Sequence, residues 1–248
     1  MMLRRSVALL TLAIGLGSCG SGSPSGVDDP TATMRVLFIG NSLTYANDLP
    51  YLVKTLADSA GVEKMYVETI AVPDYSLEDH WSGPDARRAI ANGRWRYVIL
   101  QQGPSALEES RVLLLDYANR FAGAIRKSGA RPALYMVWPS LSRSGDFDRV
   151  SESYRLAAEA VDGALFPAGE AWRAAWRRDP NLPLYSSDGL HPSAGGSYAA
   201  ALAIFAGIYD RSPVGLPARL GTTLIVAPGV AALLQDAAAE ARERFGRP

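Results

Sequence analysis

Cysteine is all but missing from this chain. One residue, Cys19, occurs in 248, so no internal disulfide can form and the fold must be held by its core. Histidine is almost as scarce: only His80 and His191 are present, and chemistry that needs an imidazole must use one of them. Neither sign of charge is in excess. Lys+Arg and Asp+Glu both number 25, and no basic excess or acidic tail points to nucleic acid as a partner. The N-terminal apolar run, Val7 to Leu16, is too short to cross a bilayer. Ten helical residues reach about 15 Å, against about 30 Å of hydrocarbon. No internal repeat is visible. What is abundant is apolar side chain: 48% of the residues, enough for one sizeable core in a chain whose length suits a single α/β domain.

The N-terminal run has other features. Arg4 and Arg5 precede it, and Gly17, Ser18 and Cys19 follow, the layout of a secretory signal peptide. Leu16-Gly17-Ser18-Cys19 also resembles a bacterial lipoprotein signal, which implies lipidation of Cys19 as the first mature residue. Residues 20–33 are rich in Gly, Ser, Pro and Asp without periodicity and read as a flexible tether. The expected organisation is therefore signal and lipidation site in 1–19, linker in 20–33, and one domain in 34–248 closed by a C-terminal helix. That places the protein outside the cytoplasm, held to the cell envelope through its lipid anchor alone.

The domain is organised around Arg35-Val-Leu-Phe-Ile-Gly-Asn-Ser-Leu-Thr44. Val36 to Ile39 is a continuous apolar run ending on turn residues, the pattern of a strand buried on both faces of a parallel sheet. Gly40 and Asn41 suit a sharp turn. Helical spacing follows over 47–60, so Ser42 stands where a strand hands over to a helix, at the edge where open α/β sheets bind ligands. It is a nucleophile, a phosphate-binding hydroxyl, or a serine that merely serves the turn.

Further strands are expected at 65–72, 95–100, 132–138 and 163–166, alternating with helices at 77–92, 108–127, 147–161, 170–178, 192–209 and 230–245. This alternation argues a doubly wound parallel five-stranded sheet, an α/β class fold. Gln101 and Gln102 end the third strand, and their amides could donate hydrogen bonds into a cleft. Trp138, ending the fourth, is expected to pack. His80 lies on a helix with no orienting acid beside it.

The last informative stretch is Tyr185-Ser-Ser-Asp-Gly-Leu-His-Pro-Ser193. Asp188 and His191 share one tight loop, where the carboxylate can accept from Nδ1–H. That bond would leave Nε2 free to take a proton from a serine.

Ile39-Gly-Asn-Ser-Leu-Thr44 near the start and Asp188-Gly-Leu-His-Pro192 near the end, in that order, resemble the SGNH (GDSL-like) hydrolases. The resemblance covers about residues 34–209. It implies a three-layer α/β/α, flavodoxin-like fold and a triad of Ser42 as nucleophile, His191 as base and Asp188 as its orienter. It also implies an oxyanion hole from Ser42 N–H, the turn at Asp74 or Tyr75, and an amide of Gln101 or Gln102. The chain departs from the family pattern at two of these points. Pro73-Asp74-Tyr75 stands where the family has a glycine, and Gln101-Gln102-Gly103 where it has Gly-x-Asn-Asp.

The reading that follows is a serine esterase, with no cofactor and no metal. Its substrate is a small-molecule or carbohydrate ester, such as an O-acetyl sugar. A phosphate- or flavin-binding protein of the same fold and a catalytically silent surface lipoprotein are the alternatives.

Overall fold

The computed structural model describes residues 29–221 and 224–246. The expected signal peptide, Cys19 and most of the linker lie outside these residues. No helix among the described residues is long and apolar enough to cross a membrane.

Five parallel strands form the central sheet: β1 (Met34–Gly40), β2 (Met65–Ala71), β3 (Tyr97–Leu100), β4 (Arg131–Tyr135) and β5 (Ala164–Phe166). Their spatial order is β2-β1-β3-β4-β5, the flavodoxin-like order of a doubly wound sheet. Val36, Leu37, Phe38 and Ile39 are all fully buried. Helices cover both faces of β1, so every side chain in the run finds apolar neighbours. The chain goes from β1 to β2 on one side and then crosses to β3 on the other. The switch point therefore lies between the carboxyl ends of β1 and β3, where Ser42 and the two glutamines emerge.

Helices α2 (Leu49–Ala60), α7 (Ala168–Arg178), α8 (Ala194–Tyr209) and α9 (Pro228–Phe245) pack on one another over one face. The opposite layer holds α3 (Leu77–Ser82), α4 (Asp85–Asn92), α5 (Glu108–Lys127) and α6 (Phe147–Ala160). α8 is apolar almost all round, as a helix enclosed by others must be. It is sandwiched against α2, α7 and α9, and Ala199 to Ala206 are completely buried.

Two local expectations are corrected. The helix read as continuous over 77–92 is two, because Pro84 disfavours helical backbone at Gly83 and the chain turns there. α8 starts at Ala194, not Pro192, because Ser193 is its N-cap and accepts from Gly196 N–H at 3.1 Å. Between α8 and α9 lies a short antiparallel pair, β6 (Arg219–Leu220) and β7 (Leu224–Ile225).

Candidate active site

Gly40 closes β1 because nothing larger fits there. A Cβ at this position would lie 2.3 Å from both Gln101 Oε1 and Thr44 Oγ1. Asn41 is the N-cap of a single helical turn, α1 (Ser42–Tyr45), its Oδ1 accepting from Leu43 N–H at 3.1 Å. Its Nδ2 donates to Tyr75 O at 3.0 Å, tying this turn to the one that leaves β2. Ser42 is thereby the first residue of α1, half-buried. Among the described residues neither its hydroxyl nor its backbone N–H has a hydrogen-bond partner.

The turn after β2 explains how the chain dispenses with glycine. Tyr75 N–H bonds to Val72 O at 3.2 Å, with Pro73 and Asp74 between. Asp74 has φ +62. Proline at the second position and positive φ at the third make a type II turn, whose third position favours glycine. Aspartate is among the few side chains that tolerate this conformation. Asp74 thus holds the backbone a glycine would, and among the described residues its N–H is unpartnered.

The two glutamines do otherwise than expected. Gln101 is wholly buried. Its Oε1 accepts from Asn41 N–H at 2.9 Å and from Thr44 Oγ1–H at 2.6 Å. Its Nε2 donates to Asn41 Oδ1 at 3.0 Å and Gln102 O at 2.5 Å. Gln102 accepts from Leu77 N–H at 3.1 Å and donates to Ser105 Oγ at 2.9 Å and Ser110 O at 3.1 Å. An amide has two N–H groups, and in both residues both are engaged. The oxyanion role expected of them has no free donor behind it: Gln101 braces the Ser42 turn, and Gln102 braces the loop after β3. Gln101→Ala should lower stability by roughly 2–4 kcal/mol, because several buried partners at once lose their bonds. Urea unfolding measures this, and a loss below about 1 kcal/mol would contradict the bracing role.

His80 is buried on α3, and its Nε2–H donates to Gly40 O at 2.7 Å. Burial pushes its pKa below the usual imidazole value, and its ring meets Tyr75 edge-on, 5.1 Å between centroids. It supports both turns from beneath.

The Asp188 loop is closed on itself. Asp188 Oδ1 accepts from Ser186 Oγ–H and Leu190 N–H, both at 2.8 Å, and from His191 N–H at 2.9 Å. Oδ2 faces His191 Nδ1 at 2.6 Å. The Leu190 N–H, then the His191 and Ser186 side chains, hold the Asp188 carboxyl well below the usual carboxylate range. Gly189, at φ +68, makes the bend possible. Trp138 steadies the loop from inside: it stacks on Trp172 at 3.6 Å and donates Nε1–H to Leu190 O at 3.0 Å. Leu141 N–H donates to Gly189 O at 2.7 Å from a 3₁₀ segment, Leu141–Asp146. Neither brace was legible in the sequence, since each joins the loop to a segment about 50 residues away.

Ser42 and Leu190, the neighbour of His191, line one cleft of about 540 Å³ together with Asp74, Gln102 and Pro104. Tyr75, Leu107 and Leu113 give it an apolar wall, and Ser140, Arg143 and Asp146 a polar end. The structure closes no hydrogen bond between Ser42 and His191. Catalytic hydrogen bonds are often long in unliganded enzymes and tighten when substrate binds. Among the described residues no cluster of His, Cys, Asp or Glu could hold a metal ion.

No family model matches this chain, and no curated protein matches it by sequence. Solved structures do. A protein from Slackia heliotrinireducens assigned to the SGNH hydrolases is 28% identical, with 71% of this chain and 98% of that one covered and a TM-score of 0.59. A DUF4886 family protein from Bacteroides uniformis is 19% identical over 85% of this chain and 95% of that one, TM-score 0.71. An acetylxylan esterase from Geobacillus stearothermophilus, a catalytic mutant, is 15% identical over 71% and 94%, TM-score 0.55.

Proposed function

We propose that this chain, similar in fold and sequence to an SGNH hydrolase, is a serine esterase working through Ser42, His191 and Asp188. The observation that carries this reading is the Asp188–His191 pair at 2.6 Å on a self-closed loop, beside the cleft into which an unpartnered serine faces. A loop histidine with no chemical task does not need its Nδ1 fixed by a carboxylate that three other donors hold in place.

His191 Nε2 takes the proton from Ser42 Oγ, which attacks the ester carbonyl carbon. The carbonyl electrons move to oxygen, and Ser42 N–H and Asp74 N–H hold that oxyanion. Its collapse expels the alkoxide, which leaves with the proton from His191. Water then attacks the acyl-enzyme by the same route in reverse, releasing the acid. Asp188 keeps the imidazole in the Nδ1–H tautomer and stabilises its cation. With both glutamine amides engaged, the oxyanion relies on two backbone donors. Loss of one donor typically costs about 10²–10³ in kcat, so the enzyme is expected to be slow.

The polar end of the cleft and the exposed Tyr75 ring suit a sugar-bearing ester, and we propose an O-acetyl carbohydrate. Arg4-Arg5, the short apolar run and the single Cys19 support an exported, lipid-anchored form. The test is acetate release by the soluble domain, from about Asp28, given p-nitrophenyl acetate and acetylated xylo-oligosaccharides. Turnover of both, higher kcat/KM on the sugar ester, and abolition in Ser42→Ala are expected. Turnover of neither contradicts the esterase reading. Turnover of the nitrophenyl ester alone contradicts the sugar.

A further inference from the structure

Ser42 and His191 come from opposite ends of the chain, and no hydrogen bond joins them directly. Something else must fix the distance between them. Asn47 lies five residues after Ser42, in the 3₁₀ turn Ala46–Asp48 that links α1 to α2. Its Nδ2 donates to Pro192 O at 3.0 Å and to Ser197 Oγ at 2.8 Å, with Ser193 O at 3.4 Å. Among the described residues these are the only hydrogen bonds between segments 41–48 and 186–197. The acceptors, two backbone carbonyls and one side-chain hydroxyl, belong to a rigid segment: Ser193 caps α8, and Ser197 is wholly buried in its first turn.

The backbone around Asn47 is costly. Asn47 at φ +53 and Asp48 at φ +54 are two successive left-handed residues, neither of them glycine. Such conformations are strained for L side chains and persist where surrounding contacts demand them. A turn needed only for its shape would be served better by glycine. An asparagine there supplies what glycine lacks, an N–H donor that reaches the far segment.

We propose that Asn47 is a positioning residue, which pins the backbone following His191 to the segment following Ser42 and so sets the nucleophile-to-base distance. This rests on the esterase reading. It predicts a catalytic effect out of proportion to any folding effect, because a misplacement of about 1 Å in such a pair can cost about 10²-fold in rate.

Asn47→Gly separates the two. Glycine accepts φ +53 freely, which offsets part of what the lost hydrogen bonds cost, so the thermal midpoint should move by no more than a few degrees. The kcat for p-nitrophenyl acetate should fall about 10- to 100-fold with KM within about twofold. The rate of inactivation by a fluorophosphonate should fall by the same factor. Ser197→Ala should show a smaller loss of the same kind, and should add little once Asn47 is glycine, since both variants break one link. Wild-type kcat in Asn47→Gly overturns the proposal. So does a loss seen only as raised KM, or one that tracks a lowered midpoint. If the wild type shows no Ser42-dependent turnover, the esterase reading falls and this inference falls with it. An active wild type with an equally active glycine variant removes the inference alone.

Discussion

Ser42→Ala is expected to lower kcat on p-nitrophenyl acetate by about 10⁴-fold or more, leaving only what the two backbone donors and binding contribute. The variant should fold normally. Ser42 is half-buried, and its hydroxyl has no hydrogen-bond partner among the described residues, so stability should stay within about 0.5 kcal/mol. That combination, activity gone with the unfolding curve unmoved, separates a nucleophile from a serine that shapes the turn. The turn itself depends on Asn41 and Gln101, and both are intact in the variant. Steady-state kinetics beside urea unfolding reads both quantities. A variant that retained more than about a tenth of wild-type kcat would show that Ser42 is not the nucleophile.

Asp188→Asn is expected to be nearly as damaging, about 10⁴-fold in kcat, for a different reason. The amide oxygen can still accept from Leu190 N–H and His191 N–H, so the loop should keep its shape. The amide nitrogen then faces His191 Nδ1 as a donor, and the imidazole must carry its proton on Nε2 instead. In that tautomer it cannot accept from Ser42. Circular dichroism should be unchanged while kcat falls and KM holds. In the wild type the hydrogen bonds to Asp188 hold its carboxyl well below the usual carboxylate range, so it is ionised at neutral pH. A carboxylate lowered in this way contributes its stabilisation at pH values above the ordinary carboxylate pKa and loses it only on further acidification. Loss of activity between neutral pH and about pH 5 therefore cannot come from Asp188 itself.

How far the sequence shows this site depends on the range of the interactions involved. β1 and its break at Gly40-Asn41 are local facts: four apolar residues in a row and two turn formers. The Asp188–His191 pair spans three residues and closes its own hydrogen bonds, so its geometry is written where it occurs. The five strands and their alternation with helices follow from periodicity in the same way. Gln101 is different. Whether its amide faces a cleft or the backbone of Asn41 is decided by residues 57 and 60 positions away, and no local pattern encodes it. The positive φ of Asp74 was half visible, since a proline before an aspartate suggests a turn but not its type. Asn47 gave no signal at all, because its partners lie about 150 residues downstream. The break at Gly83-Pro84, by contrast, is encoded locally, by a proline that disfavours helical backbone at the residue before it. The β6–β7 pair is only two residues per strand, too short for alternation to show.

The departures from the family pattern now divide by kind. Where the family needs a backbone conformation, Asp74 supplies it without glycine, at some conformational cost. Where the family needs a side-chain amide, the chain has two, but both are turned inward to hold the turns that position Ser42. On the proposed reading, direct side-chain stabilisation of the oxyanion is given up for support of the turns around Ser42, and the expected outcome is a well-ordered, modestly active esterase.

The most direct measurement is peptide mapping of the protein after reaction with a fluorophosphonate. One phosphonyl group per chain is expected, on the peptide that contains Ser42, formed at least about 10³-fold more slowly in His191→Ala. A folded wild-type protein that forms no adduct, or forms it on another serine at a rate indifferent to His191, would contradict the proposed mechanism.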